Sequence, residues 1–230
     1  MDKLSQMPDL IVFDVDGTLL NTIGDLQVSM NEILARHGFP VLSREEVRRL
    51  IGNGAREFMR LALPESARSV ERVESMLAEY AAFYAGHNAQ TTAVFEGALS
   101  LVEACKGEGA RVAVLSNKPH PSTAAVIARY FPDQTFDAVM GQKPEYSPKP
   151  APDALNALMR EFGVLPERTL MVGDGDADCR VSENAGCHYA GALWGYRTEA
   201  ELLAAGARPG QLFAAPGLLA DKIRSLGKRD

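Results

Sequence analysis

Asp-Leu-Ile-Val-Phe-Asp-Val-Asp-Gly-Thr, residues 9–18, is the stretch of sequence that decides the fold. Residues 9–13 form an apolar run of strand length, and Gly17 marks the turn that ends it. Asp14 and Asp16 therefore lie at the carboxyl end of a buried strand, on the same side. Two carboxylates held so close repel each other unless a cation or a proton lies between them. We expect a divalent metal such as Mg²⁺, which prefers oxygen ligands; a solvated acidic turn is the alternative.

The composition argues against several classes of protein. Apolar residues make up 46% of the 230 residues, which is enough for a packed core. A net charge of −6 argues against a general nucleic-acid-binding surface. We find no signal-peptide pattern and no apolar run of membrane-spanning length. The three cysteines lack metal-site spacing and indicate reduced thiols. We therefore predict a cytoplasmic protein that binds neither nucleic acid nor membrane, and the sequence leaves its oligomeric state open.

The pattern of apolar residues divides the chain into two kinds of structure. Helical spacing dominates residues 21–89, whereas strands and helices alternate from residue 90 onward. Alternating strands and helices predict a parallel sheet. The sequence thus predicts an α/β protein with a discontinuous core, residues 1–20 and 90–230, and an inserted helical domain at residues 21–89. Strands are expected at residues 111–115, 136–140 and 169–172 as well as at residues 9–13.

Polar side chains of complementary kinds follow further predicted strands. Ser116 and Asn117 follow the second, Asp174 and Asp178 follow the fourth, and Lys149 lies in a loop with proline on both sides. Singly, each has a structural explanation as a helix cap or a solvated side chain. Parallel strands, however, open on one edge of the sheet, so these groups should meet. Several carboxylates, a hydroxyl and a lysine at one edge suit metal-assisted phosphoryl transfer.

Taken in order, these motifs resemble those of the haloacid dehalogenase superfamily. Residues 14–19 resemble its first motif, Ser116-Asn117 the second, Lys149 the third, and Gly173-Asp174 with Asp178 the fourth. The helical insert resembles the small cap of the phosphoglycolate phosphatase-like members, as do residues 114–119 and 194–197. The resemblance implies a Rossmann-like parallel-sheet core with an inserted α-helical cap. It also implies a phosphatase that uses Mg²⁺ to hydrolyse a small phosphorylated metabolite.

The resemblance further implies a role for each site residue. Asp14 would be the nucleophile that forms an aspartyl-phosphate, and Asp16 would be the general acid and then the general base. The residues implied to hold Mg²⁺ are Asp14, Asp16 through its backbone carbonyl, Asp174, and Asp178 directly or through water. The residues implied to hold the transferring phosphoryl group are Ser116, Asn117 and Lys149.

Substrate recognition is expected to come from the cap. The turn Gly52-Asn53-Gly54 lies beside Arg56, and arginine can pair with a carboxylate through two hydrogen bonds. By themselves Asn53 and Arg56 would be read as surface residues. Together with the resemblance, which implies a phosphocarboxylate such as 2-phosphoglycolate, they become the first candidates for substrate contacts.

Two other functions stay open at this stage. A phosphosugar mutase uses the same core and differs in its cap and in the acceptor of the phosphoryl group. A non-catalytic receiver domain also has a parallel sheet, an acidic Mg²⁺ pocket and a lysine. A receiver domain lacks both a helical insert and an acid two residues after its phosphorylated aspartate. Turnover of a phosphate monoester separates it from an enzyme.

Overall fold

The computed structural model describes residues 4–227. Within these residues the strands are β1 (Leu10–Phe13), β2 (Leu20–Asn21), β3 (Ala93–Val94), β4 (Arg111–Pro119), β5 (Ala138–Gln142), β6 (Thr169–Gly173), β7 (His188–Ala192) and β8 (Leu212–Phe213). The helices are α1 (Ile23–Arg36), α2 (Arg44–Leu50), α3 (Ala55–Ala62), α4 (Val70–His87), α5 (Ala98–Gly107), α6 (His120–Tyr130), α7 (Asp153–Phe162), α8 (Asp176–Ala185), α9 (Glu199–Ala204) and α10 (Pro216–Gly227). Residues 1–3 and 228–230 of the predicted core lie outside the described part of the chain.

A six-stranded parallel sheet with the order β5-β4-β1-β6-β7-β8 confirms the predicted α/β fold. Alternate residues of β1 point to opposite faces of this sheet. Ile11 and Phe13 belong to a buried cluster with residues of α5, α6 and α10, whereas Leu10 and Val12 pack with residues of α7 and α8. Because helices cover both faces, β1 is apolar at every position, as a central parallel strand must be.

Helices α1 to α4 form the helical insert, which has its own hydrophobic cluster. The chain enters the insert through β2 and leaves it through β3, and these two strands pair antiparallel. Local sequence fixes the start of α2, where Ser43 and Glu46 form a capping box. The division into a core and a cap with boundaries at residues 21 and 89 stays a prediction.

Strand boundaries differ most from the sequence-based expectation in β4 and β5. Strand β4 continues to Pro119 instead of ending at residue 115, and its pairing with β5 is irregular between Leu115 and Pro119. Strand β5 begins at Ala138, two residues later than expected. An apolar run shows which residues are buried, whereas the extent of a strand depends on the neighbouring strand that supplies the hydrogen bonds. None of the helices in residues 4–227 is both long and apolar enough to cross a membrane.

A buried carboxylate joins the two ends of the insert. Asp25, on the first turn of α1, is 1% exposed and accepts five hydrogen bonds from backbone and hydroxyl groups of Gln90, Thr91 and Thr92. Burial would raise the pKa of Asp25, but the hydrogen bonds from Thr92 and Thr91 outweigh it and hold this pKa below its usual range. The carboxylate therefore fixes the returning segment against α1 where the insert meets the core.

We expect Asp25→Asn to lower the free energy of unfolding by about 1–3 kcal/mol, because an NH₂ group would face hydrogen-bond donors. The folded-state pKa lies below the unfolded one, so the contribution of Asp25 is complete above the unfolded pKa. It is lost as the pH falls through the folded pKa. Urea unfolding at pH 7 and at progressively lower pH measures this difference. The exposed Asp133→Asn serves as the control; equal stability of the two variants at pH 7 would contradict the assignment.

Candidate active site

Strand β1 delivers Asp14 to the carboxyl edge of the sheet. Its backbone N–H donates to the carbonyl oxygen of Val172 at 2.9 Å, which extends the ladder one residue beyond the strand, and the residue is 8% exposed. The chain then turns at Gly17, whose φ of 91° suits glycine. A Cβ atom at residue 17 would lie 2.2 Å from Oδ2 of Asp174. The absence of a side chain at Gly17 thus allows the loop to pass directly over this second carboxylate.

Three buried carboxylates lie together at this edge. Asp14, Asp174 and Asp178 each place an oxygen within 4.8 Å of the others. Asp174 accepts hydrogen bonds from the backbone N–H of Tyr196 at 2.7 Å and from the Thr18 hydroxyl at 3.2 Å. Asp178 accepts the Gly175 N–H at the start of α8 at 3.0 Å. The backbone therefore fixes two of the three acids in place.

Lys149 places a single ammonium among these acids. Its Nζ donates to Asp14 Oδ1 at 2.9 Å, to Asp178 Oδ1 at 2.6 Å and to the Leu115 carbonyl oxygen at 3.0 Å. These contacts use all three of its N–H donors. They leave Oδ2 of Asp14 without a contact to Lys149.

Negative charge exceeds positive charge in this cluster. Burial, the largest cause, raises the pKa of Asp14 to about 6 although Lys149 opposes it. Burial together with the charges of Asp14 and Asp178 raises the pKa of Asp174 to about 8. Both shifts show that the carboxylates lack sufficient compensating charge. Carboxylate oxygens at this separation fit a hard divalent cation, which would supply that charge.

Asp16 is not a member of this cluster. Its carboxylate accepts hydrogen bonds from Lys118 Nζ at 2.8 and 3.1 Å and from the Thr22 hydroxyl at 2.7 Å. The two acids of the opening stretch thus have separate surroundings, one beside the other carboxylates and one beside a buried ammonium. Sequence spacing predicted their proximity, but Lys118 as the partner of Asp16 was missed. Its position directly after Ser116-Asn117 was the available indication.

Ser116 and Asn117 have different hydrogen-bond partners. Ser116 is buried beside the acids, and its hydroxyl oxygen accepts the Lys118 N–H at 3.2 Å. The Asn117 amide group donates to the carbonyl oxygens of Gly52 and Lys149 at 3.0 and 2.9 Å and accepts the Lys149 N–H at 2.7 Å. Because both amide N–H donors are occupied, the Asn117 side chain has none left for phosphate. The side chain positions the lysine loop and the turn of the insert, and the role of Asn117 in holding phosphate stays a prediction.

A cavity of about 70 Å³ lies between the insert and the carboxyl edge of the sheet. Asp14, Asp16 and Ser116 line it from the core, and Gly52 and Gly54 line it from the insert. The predicted turn at residues 52–54 therefore does face the site.

The candidate substrate residues next to that turn do not line this cavity. Neither Asn53 nor Arg56 is among its lining residues. Arg56 is bonded to Glu74, and its side chain is 57% exposed. Arg56 therefore pairs with a carboxylate of the insert in this structure, and its predicted contact with a substrate carboxylate stays a prediction.

Comparison with known proteins gives a consistent result. A family model described as haloacid dehalogenase-like hydrolase matches residues 11–192. Phosphoglycolate phosphatase 1 of Pseudomonas aeruginosa is 32% identical over 228 residues, which are 96% of this chain and 79% of the relative. The phosphoglycolate phosphatase of Vibrio parahaemolyticus is 33% identical over 192 residues, 81% of this chain and 84% of the relative. The crystal structure of a predicted phosphoglycolate phosphatase from Haemophilus somnus matches with a TM-score of 0.85, 26% identity and coverage of 97% and 99%.

The raised pKa values of Asp14 and Asp174 predict how stability depends on pH without a metal. Between the unfolded and the folded pKa the folded protein binds more protons, so the free energy of unfolding falls as the pH rises. In chelator we expect the melting temperature to fall between pH 5 and pH 8, and Mg²⁺ to raise it again at pH 8. Asp174→Asn should melt higher than the wild type in chelator at pH 8, by about 2–4 °C for each kcal/mol gained. Its melting temperature should also rise less than that of the wild type when Mg²⁺ is added. Identical melting profiles of the two proteins would contradict the inference that charge repulsion at Asp174 destabilises the metal-free protein.

Proposed function

Because the chain belongs to the haloacid dehalogenase-like hydrolase family and is a phosphoric monoester hydrolase, we propose that it hydrolyses a small phosphate ester through an aspartyl-phosphate at Asp14. One observation carries the proposal. Asp14 is held by Lys149 through Oδ1 alone, next to two further carboxylates and opposite a cavity lined by Asp16 and Ser116. A nucleophile, a separate proton carrier and groups for a phosphoryl group thus border one space.

The first step would use the free oxygen of Asp14. Oδ2 attacks phosphorus, the bond between phosphorus and the ester oxygen breaks, and Asp16 gives a proton to the departing oxygen. Ser116 and Lys149 hold the oxygens of the transferring group, and the ammonium of Lys149 offsets their charge. The separate position of Asp16, outside the cluster of acids, supports its assignment to proton transfer.

The second step would release inorganic phosphate. Asp16, now a carboxylate, takes a proton from water, the water oxygen attacks phosphorus, and the bond to Asp14 breaks, which restores the Asp14 carboxylate and the protonated Asp16. The groups that would hold Mg²⁺ are the Asp14 and Asp174 carboxylates and the Asp16 carbonyl, with Asp178 as a direct ligand or through water. When bound, the cation would neutralise charge on the phosphoryl oxygens.

The names of the relatives make 2-phosphoglycolate the first substrate to test. We expect Mg²⁺-dependent release of phosphate that stops in excess chelator and returns with Mg²⁺. Ca²⁺ should replace it poorly, because its looser coordination suits in-line transfer less well. A panel of phosphoglycolate, sugar phosphates, nucleotides and pyrophosphate, compared by kcat/KM, measures this. Full activity in excess chelator would exclude a requirement for a metal ion. Isomerisation of a sugar phosphate without release of phosphate would favour the alternative function, a phosphosugar mutase.

The two acids of the opening stretch should differ in their effects. Asp14→Asn removes the nucleophile, so essentially all turnover should be lost. Asp16→Ala should slow the hydrolysis of an alkyl phosphate by about 10²–10⁴-fold. The hydrolysis of an activated aryl phosphate should slow much less, because only the poorer leaving group needs a proton. Steady-state rates on both esters test this, with Asp133→Asn as a control at an exposed position. Equal losses on the two esters would assign Asp16 another role.

A further inference from the structure

The wall of the cavity that faces the acids is almost entirely apolar. The insert contributes Leu26, Ile51, Ala55, Phe58, Tyr80, Ala81 and Tyr84. Among the described residues that line this cavity, Lys118 is the one with a positively charged side chain. Any charged substituent of a substrate would therefore enter a surface with a single compensating charge, and the position of Lys118 decides where that substituent can lie.

Lys118 has a hydrogen-bond donor to spare. The residue is 7% exposed, and its Nζ donates to the two carboxylate oxygens of Asp16 at 2.8 and 3.1 Å. An ammonium has three N–H donors, so Asp16 can occupy two at most. The Nζ atom also lies 4.9 Å from the centre of the Tyr84 ring, which places it at the apolar wall. The N–H that Asp16 does not use thus faces the Tyr84 phenol, so a ligand at the boundary between Asp16 and the insert would meet both groups.

Tyr84 lies at the same place, beside Lys118. It lines the cavity and is 4% exposed, and its hydroxyl has no hydrogen-bond partner in residues 4–227. A buried hydroxyl without a partner destabilises the protein unless a ligand or water satisfies it. The ring is held by stacking on Tyr80 with centroids 5.7 Å apart. The hydroxyl is therefore a fixed polar group within an apolar wall.

We propose that Lys118 and Tyr84 are specificity-determining residues that bind a carboxylate attached directly to the ester carbon of the substrate. The inference rests on the proposed function, in which Asp16 contacts the ester oxygen. Because Lys118 is hydrogen-bonded to Asp16, an acceptor that reaches its free donor must lie close to that oxygen. The ammonium then lies between two carboxylates and offsets their repulsion. A sugar phosphate would instead extend hydroxyl groups along the apolar wall, where they find few partners.

The assignment also replaces the carboxylate contact expected from the sequence. Arg56 was chosen because it follows a turn of the insert, but its guanidinium is bonded to Glu74 and does not line the cavity. Lys118 belongs to the core strand β4 and reaches the cavity from the opposite side. Recognition of the acid would thus come from the core, with the insert contributing Tyr84 and an apolar enclosure.

Two matched esters test the proposal. Ethyl phosphate differs from phosphoglycolate by a methyl group in place of the carboxylate, so the ratio of their kcat/KM values isolates recognition of the acid. We expect the wild type with Mg²⁺ to prefer phosphoglycolate. Lys118→Met should lower the ratio by about tenfold or more, mainly through KM for phosphoglycolate, since a hydrogen bond to a charged group is lost. Lys118→Arg should restore part of the preference, and Tyr84→Phe should reduce it by a few-fold.

The controls distinguish a failure of this inference from a failure of the proposed function on which it rests. Lys106→Met makes the same exchange on the exposed side of α5 and should leave the ratio unchanged. An equal fall on both esters in Lys118→Met would assign that lysine to Asp16 alone and overturn the proposal. The proposal would also be overturned if Arg56→Ala lost the preference for phosphoglycolate over ethyl phosphate while Lys118→Met kept it. If the wild type with Mg²⁺ hydrolyses neither ester, the proposed function itself fails, and this inference fails with it.

Discussion

Repulsion between Asp14, Asp174 and Asp178 is the constraint on which the rest of the structure depends. Three acids share a buried space, and the ammonium of Lys149 bonds to two of them. Transfer of charged groups from water into a protein interior is expensive unless other charges and hydrogen bonds replace the solvent. The surrounding backbone supplies part of that replacement, and the remaining deficit is what a divalent cation would fill. The same arrangement would thus suit a divalent cation and the phosphoryl group of the proposed reaction.

The loop that carries Lys149 is held at the acidic cluster by a side chain that also contacts the insert. This loop is remote in sequence from the acids, and the Asn117 amide group holds both the N–H and the carbonyl oxygen of Lys149. The same amide reaches Gly52 in the insert. One side chain therefore fixes the loop that carries the ammonium and, with it, the turn that closes the cavity.

The insert is attached to the site by more than its two connecting strands. Tyr196 donates its backbone N–H to Asp174, and its phenol oxygen accepts N–H groups of Thr22 and Ile23 at the start of α1. Arg197 donates to the carbonyl oxygens of Arg48 and Ile51 at the end of α2. The segment after β7 is thus bonded to an acid of the site and to the insert at once, which couples the position of the cavity wall to the charge cluster.

The sequence by itself determined the parallel sheet and the meeting of Asp14, Ser116, Lys149, Asp174 and Asp178. Apolar runs and their alternation with helices are local properties, and parallel topology then brings every strand's carboxyl end to one edge. Only the tertiary structure decided which partner each polar side chain takes. Lys118 forms an ion pair with Asp16, which is 102 residues away in sequence. The Asn117 side chain donates to the backbone of Lys149, and Arg56 forms an ion pair with Glu74. The physical reason is that a side chain bonds to whichever group the fold brings within about 3 Å, and no local pattern contains that distance.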